Sequence, residues 1–313
     1  MSAFTPYDPA QRLAPGRTII EASAGTGKTY TIAAEVTRLV ALEGLHLGEI
    51  LVVTFTRAAT AELKSRVRDR MVHTLRALAE WEPATTTDRH LELLLGADEE
   101  TRIAAVERLR DALTHFDAAQ IFTIHGFAQR LMSHLGFRAR LSEDLEPGEI
   151  DRLLLSQVAS DLVVARFAHN PDNDELLTPL NLMAIGEAVV GTPDARIVPD
   201  AAEVEGLAHT RVSMAHDMKR ELKSRLRAAR QVTFDDGLIE ARDALRDPEV
   251  GEAARALLKQ RYAVALVDEA QDTDPTQWQI IRAVFDDSRL VVIGDPKQSI
   301  YSFRGADVES YLA

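Results

Sequence analysis

Short β-branched runs alternate along the chain with longer stretches in which apolar residues recur every three or four positions. That pattern predicts a parallel sheet covered by helices. The predicted strands are residues 18–21, 50–55, 119–124, 264–268 and 290–294. The first two and the last two each read strand, loop, helix, as the βα units of a doubly wound sheet do. One helix is predicted after Gly27, running to about Leu42, and another after Arg57, running to about Ala79. Between Gly126 and Phe234 the pattern changes. No strand is predicted there, and Leu153, Leu154, Val158, Leu162 and Val163 fall at helical spacing. This stretch reads as a helical insertion, acidic at its start and divided between Pro193 and Pro199. Its last helix is basic, with Arg211, Lys219, Arg220, Lys223, Arg225, Arg227 and Arg230. The predicted organisation is an α/β domain formed by residues 1–128 and 232–313, with an inserted helical subdomain at 129–231.

Composition narrows the classes of function. The 313 residues are 46% hydrophobic, enough for a large core, and 36 Lys plus Arg stand against 49 Asp plus Glu. A formal charge of −13 excludes a polycation that coats nucleic acid, so any DNA contact must be local. The chain has no cysteine, which excludes disulfides, thiolate metal sites and cysteine nucleophiles. The first 17 residues carry Pro6, Pro9 and Pro15 and lack the apolar core of a signal peptide, and no run approaches the roughly 18 apolar residues of a membrane span. The expectation is a cytoplasmic protein without a membrane partner.

The chemistry concentrates at the predicted strand ends. Ala22, Ser23, Ala24, Gly25, Thr26, Gly27, Lys28 and Thr29 follow the first strand, open a helix, and match the phosphate-loop pattern except that alanine replaces its first glycine. Successive backbone N–H groups at a helix start make an anion cradle, Lys28 adds a charge at the β/γ-phosphates, and the Thr29 hydroxyl can ligate Mg²⁺. Residues 264–270 form an apolar strand ending in Asp268 and Glu269. Asp268 can hold Mg²⁺ and Glu269 can orient and deprotonate an attacking water. The last strand leads to Gln298, whose neutral amide could hydrogen-bond a γ-phosphate or that water.

Six blocks along the chain resemble motifs of the UvrD/RecB-like superfamily-one helicases, and of the RecB branch in particular. They are Glu21-Ala-Ser-Ala-Gly-Thr-Gly-Lys-Thr29, Val53-Thr-Phe-Thr56 with the following Ala58-Ala-Thr-Ala-Glu-Leu63, Phe122-Thr-Ile-His-Gly-Phe127, Phe234-Asp-Asp-Gly-Leu238, Val267-Asp-Glu-Ala-Gln-Asp-Thr-Asp-Pro275, and the segment from Gly294 to Asp307. The resemblance implies a RecA-like P-loop NTPase sheet as helicase domain 1A, with the insertion as subdomain 1B. It implies an ATP and Mg²⁺ site made of Lys28, Thr29, Asp268, Glu269 and Gln298. Phe55, Tyr301 and Phe303 would stack on single-stranded DNA, Arg304 would contact the strand or brace an aromatic, and Thr56 and His125 would lie along its backbone path. Stacking is sequence-tolerant, as a motor that steps over any sequence requires.

The resemblance also implies partners and parts. Single-stranded DNA and duplex ends would be substrates, and RecC-like and RecD-like subunits would be partners. The matched motifs stop short of the family's motifs IV to VI, its second RecA-like domain and the nuclease domain of RecB proteins. The expectation is therefore a truncated, ATP-binding half of a recombination and repair helicase, poorly active alone because transition-state arginines come from across the cleft. Two alternatives stay open: an ATP-dependent DNA-binding module without translocation, and an AddA-type or UvrD-type helicase in place of RecB.

Overall fold

The computed structural model of the protein describes residues 7–22, 27–80, 87–135, 146–148, 150–168, 177–192, 194–295 and 297. It divides into two compact units, one of Met1–Leu131 with Ala241–Ala313 and one of Met132–Glu240.

In the first unit the elements are β1 (Gly16–Glu21), α1 (Lys28–Glu43), β2 (Ile50–Thr54), α2 (Arg57–Glu80), α3 (Arg89–Leu95), α4 (Glu99–Thr114) and β3 (Gln120–Thr123). The helix α5 (Ile124–Leu135) leads out of it. The second unit holds β4 (Glu146–Gly148), α6 (Arg152–Phe167), α7 (Pro179–Gly191), α8 (Gly206–Ala228) and β5 (Gln231–Thr233). The helix α9 (Phe234–Arg246) returns the chain to the first unit, which is completed by α10 (Gly251–Arg261), β6 (Val264–Val267), α11 (Pro275–Phe285) and β7 (Arg289–Gly294).

The first unit is a five-stranded sheet in the order β1-β7-β6-β2-β3, with every pairing parallel. Val52 sits opposite both Leu266 and Ile121, and Ile20 opposite Ile293. Strands covered on both faces carry unbroken apolar runs rather than alternation, which is why Ile-Leu-Val-Val and Val-Ala-Leu-Val fold here as central strands. Ile32, Leu39, Val67, Met71 and Leu109 on α1, α2 and α4 pack with Val52, Leu266 and Val291 into one core. Helix starts are fixed by short polar side chains. Asp98 caps α4, and Asp274, followed by Pro275, caps α11. The sheet is the helix-covered parallel sheet that the strand pattern predicts, consistent with the RecA-like fold that the motif resemblance implies.

The second unit is mainly helical. Leu155, Val158, Leu182, Met214, Met218 and Leu222 make its core between α6, α7 and α8. Two details differ from the sequence reading. A short parallel pair joins β4 to β5 in the stretch where no strand was predicted. Three-residue strands are too short to imprint a period of two on the sequence. Leu153, counted in the apolar stripe of α6, is exposed, because the face turned inward is that of Leu155, Val158 and Ala159.

Candidate nucleotide and strand-end site

A parallel sheet delivers all its strand C-termini to one edge, where ligands of open α/β folds bind. β1 leads there into the phosphate loop, β2 into Phe55 and Thr56, β3 into His125, β6 into Asp268 and Glu269, and β7 into Asp295. The Ala22 N–H donates to the Gly294 carbonyl at 3.1 Å, which ties the start of the loop to the end of β7. Gly27 stands at φ 93°, a left-handed conformation in which a Cβ would be strained, and turns the chain into α1. Lys28 and Thr29 are the first two residues of that helix. Ser23, Ala24, Gly25 and Thr26 lie outside the described residues, as do Gln298, Tyr301, Phe303 and Arg304.

The ammonium of Lys28 donates to Glu269 Oε2 at 2.6 Å, so residues 241 positions apart in sequence meet directly. Asp268 closes β6 with its N–H on the Val53 carbonyl at 2.8 Å. Its carboxyl is pushed up to about 6 by burial, reinforced by the charge of Glu269 beside it. Glu269 itself has φ 51°, a left-handed backbone unusual for a non-glycine residue. Such a conformation costs about 1 kcal/mol or more and persists where neighbours fix it. Here its N–H donates to Asp268 Oδ1 at 3.0 Å and its carbonyl accepts from the Asp272 N–H at 2.9 Å.

Gln271 completes this cluster and was missed in the sequence, where it is only the fourth letter of Asp-Glu-Ala-Gln. Its side-chain amide donates to Glu269 Oε2 at 2.7 Å and to Asp272 Oδ2 at 3.2 Å, and its Oε1 accepts from the Asp295 N–H at 3.0 Å. Gly294 leaves room for it, since a Cβ there would stand 2.6 Å from Gln271 Oε1.

Phe55 and Thr56 follow β2, and His125 lies in the first turn of α5 just after β3, on neighbouring strand ends paired through Thr54 and Thr123. Phe55 shares a narrow crevice with Thr54, Ile124, Asp268, Thr273 and Gln277. Thr56 has a structural duty as well: its hydroxyl accepts from the Ala59 N–H at 3.0 Å and caps α2. The cations of Lys64 and Arg130 lie 5.9 and 5.3 Å from the centre of the Phe122 ring, one residue before Thr123. On α8 much of the basic run is paired within the second unit. Arg220 bonds Asp217, Arg225 bonds Glu221 and Asp161, and Arg227 bonds Glu240.

The donor set suits a divalent cation that brings other ligands with it. Among the described residues no group of three or more His, Asp or Glu could hold a metal. Thr29 and Asp268 offer a hydroxyl and a carboxylate, the sparse oxygen set on which Mg²⁺ keeps its waters and phosphates. Burial and the charge of Glu269 raise the pKa of the Asp268 carboxyl, and a nearby cation would lower it.

Residues 8–313 match the model of the UvrD/REP helicase N-terminal domain. The chain belongs to this family. Among relatives of this UvrD/REP-type domain, the RecBCD enzyme subunit RecB of Mycolicibacterium smegmatis is 40% identical over 94% of the chain, which spans 27% of that protein. The RecBCD enzyme subunit RecB of Escherichia coli is 30% identical over 97% of the chain and 36% of its own length. The ATP-dependent DNA helicase UvrD1 of Mycobacterium bovis is 28% identical over 93% of the chain and 32% of its own length. The chain thus spans between 27% and 36% of the length of these three relatives. The alignment with the Escherichia coli protein covers 430 positions, more than this whole chain, so that relative carries segments absent here. No helix among the described residues is long and apolar enough to cross a membrane.

Proposed function

We propose that this chain is the ATP-binding part of a RecB-like DNA helicase, in which ATP hydrolysis drives movement along single-stranded DNA during recombination and double-strand-break repair. The observation that carries this reading is the continuous link from Lys28 through Glu269 and Gln271 to the backbone of Asp295. It joins the phosphate loop, the two-acid strand end and the start of the segment that bears Gln298, Tyr301, Phe303 and Arg304. An identity of 40% to a RecB subunit, against 28% to a UvrD1 helicase, favours the RecB branch.

In this reading the backbone of residues 22–27 cradles the phosphates and Lys28 binds the β/γ-phosphates. Thr29 and Asp268 would hold Mg²⁺, which screens the phosphate charge when bound. Glu269 orients the attacking water and takes its proton, and Gln298 senses the γ-phosphate. Phe55, Tyr301 and Phe303 stack on bases while Thr56, His125 and Arg304 follow the strand. The predicted division into a motor domain of residues 1–128 and 232–313 and a 1B-like insertion of residues 129–231 belongs to the same proposal. The full protein would act on single-stranded DNA and duplex ends, in the cytoplasm, with RecC-like and RecD-like subunits.

Glu269→Gln in the native full-length protein tests this reading. ATP binding is expected to persist while DNA-stimulated hydrolysis falls about 100-fold or more, the range for removing a general base. Turnover close to wild type would remove Glu269 from the role.

A further inference from the structure

Glu269 Oε2 accepts two hydrogen bonds, one from Lys28 at 2.6 Å and one from Gln271 at 2.7 Å. The lysine belongs to the phosphate loop and is drawn to phosphate when nucleotide binds. The amide belongs to the same short 3₁₀ turn as Asp272 and stays beside the carboxylate wherever the lysine goes. Its other end reaches across to β7, 24 residues later in the chain, and accepts from the Asp295 N–H.

The amide's orientation is dictated by chemistry. Two carboxylates need a donor and a backbone N–H needs an acceptor, so only the arrangement with nitrogen toward Glu269 and Asp272 satisfies all three partners. Gln271 is 2% exposed, and its bonds to Asp272 and to the Asp295 N–H are buried, so a lost partner there leaves a buried polar group unpaired, while the bond to Glu269 is half-buried. Gly294 supports the same contact from the β7 side, where any side chain would strike the amide oxygen.

We propose that Gln271 is a positioning residue that couples the Glu269 carboxylate to the backbone leaving β7, so that the catalytic base and the segment beginning at Asp295 shift together. The proposal rests on the functional reading above and deepens it. A shift of the backbone at Asp295 would be felt at Glu269 through two hydrogen bonds and one side-chain amide. Thermodynamic linkage makes the effect reciprocal, so nucleotide bound against Glu269 must alter affinity for DNA by the same factor.

Gln271→Leu removes both arms of the link at similar volume. Gln271→Glu keeps an acceptor for the Asp295 N–H but sets a third carboxylate against Glu269 and Asp272, which cuts one arm only. It also serves as the folded comparison if the leucine variant does not accumulate. The measurements are ATP affinity, hydrolysis with and without oligo-dT, and oligo-dT affinity with and without a non-hydrolysable ATP analogue, on the native full-length protein with its subunits. In both variants the ratio of DNA-stimulated to basal hydrolysis is expected to fall about 10-fold, as expected for a lost charge-assisted hydrogen bond. The effect of the analogue on oligo-dT affinity should shrink with it. If basal and stimulated rates fall by one common factor, or if both ratios stay at the wild-type value, the coupling role is overturned. Absence of DNA stimulation in the wild-type protein, or turnover close to wild type in Glu269→Gln, would instead overturn the functional reading on which the proposal rests.

Discussion

An ammonium and a side-chain amide converge on one carboxylate oxygen, Glu269 Oε2, and a glycine without a side chain at position 294 makes room for the amide. Gly294→Ala would place a methyl 2.6 Å from Gln271 Oε1 and 3.4 Å from the Ala270 nitrogen. The amide cannot swing away without breaking buried bonds. A loss of about 1–3 kcal/mol is expected from such overpacking, read as an earlier denaturant midpoint in the fluorescence of buried Trp278. An unchanged midpoint would show that the amide has room to move. The residues legible in the sequence at this site are those whose chemistry needs a type at a spacing: Lys28 and Thr29 behind the glycines, and Asp268 and Glu269 at a strand end. Gln271 was not legible, because its task is set by a backbone N–H that only folding brings near. Thr56 was legible as a polar residue at a strand end, but its capping bond to Ala59 depends on where α2 begins.

Helices and strands were readable where burial imposes a long pattern and unreadable where it does not. The central strands β2, β6 and β7 announce themselves as apolar runs and the edge strands β1 and β3 as short β-branched ones, whereas β4 and β5 have three residues each and no pattern to show. α1 contradicts simple patterning in another way, since Glu35 and Arg38 are buried among its apolar residues. Arg38 bonds Glu35 at 2.9 and 2.6 Å and Glu43 at 3.0 Å, and Tyr7 donates to Glu35 at 2.7 Å. Burial alone would raise the Glu35 carboxyl, but the His90 ring 3.7 Å away and hydrogen bonds from Arg38 and Tyr7 outweigh it and hold it at about 2 rather than 4.5. The unfolded chain therefore takes up this proton more readily than the fold does. The resulting stabilisation, about 3 kcal/mol, is complete above about pH 5 and is lost as pH falls towards 2. Urea midpoints of the wild type should decline across that window, and Glu35→Gln should lower the midpoint at pH 7 and flatten the decline. A slope unchanged by the substitution would place the acid sensitivity elsewhere.

At the scale of the whole chain, two units with separate cores predict two cooperative transitions. Both tryptophans fall in the first unit's residue ranges, so fluorescence reports that unit while far-ultraviolet circular dichroism reports helices in both. Leu182, fully buried between α6, α7 and α8, belongs to the second core. Leu182→Ala should cost about 2–5 kcal/mol there, shifting part of the dichroism signal to lower denaturant while the fluorescence transition stays in place. A shift of both signals together would mean that the units unfold as one.

The parallel sheet carries a last consequence. Because α1, α2 and α5 each start at or just beyond the end of β1, β2 or β3, their N-termini gather at the same edge, each presenting about half a positive charge. For the proposed DNA substrate, a net charge of −13 would oppose binding, and the clustered helix N-termini would offset it at this one edge. Repulsion elsewhere would then act as a sorting device for an approaching strand.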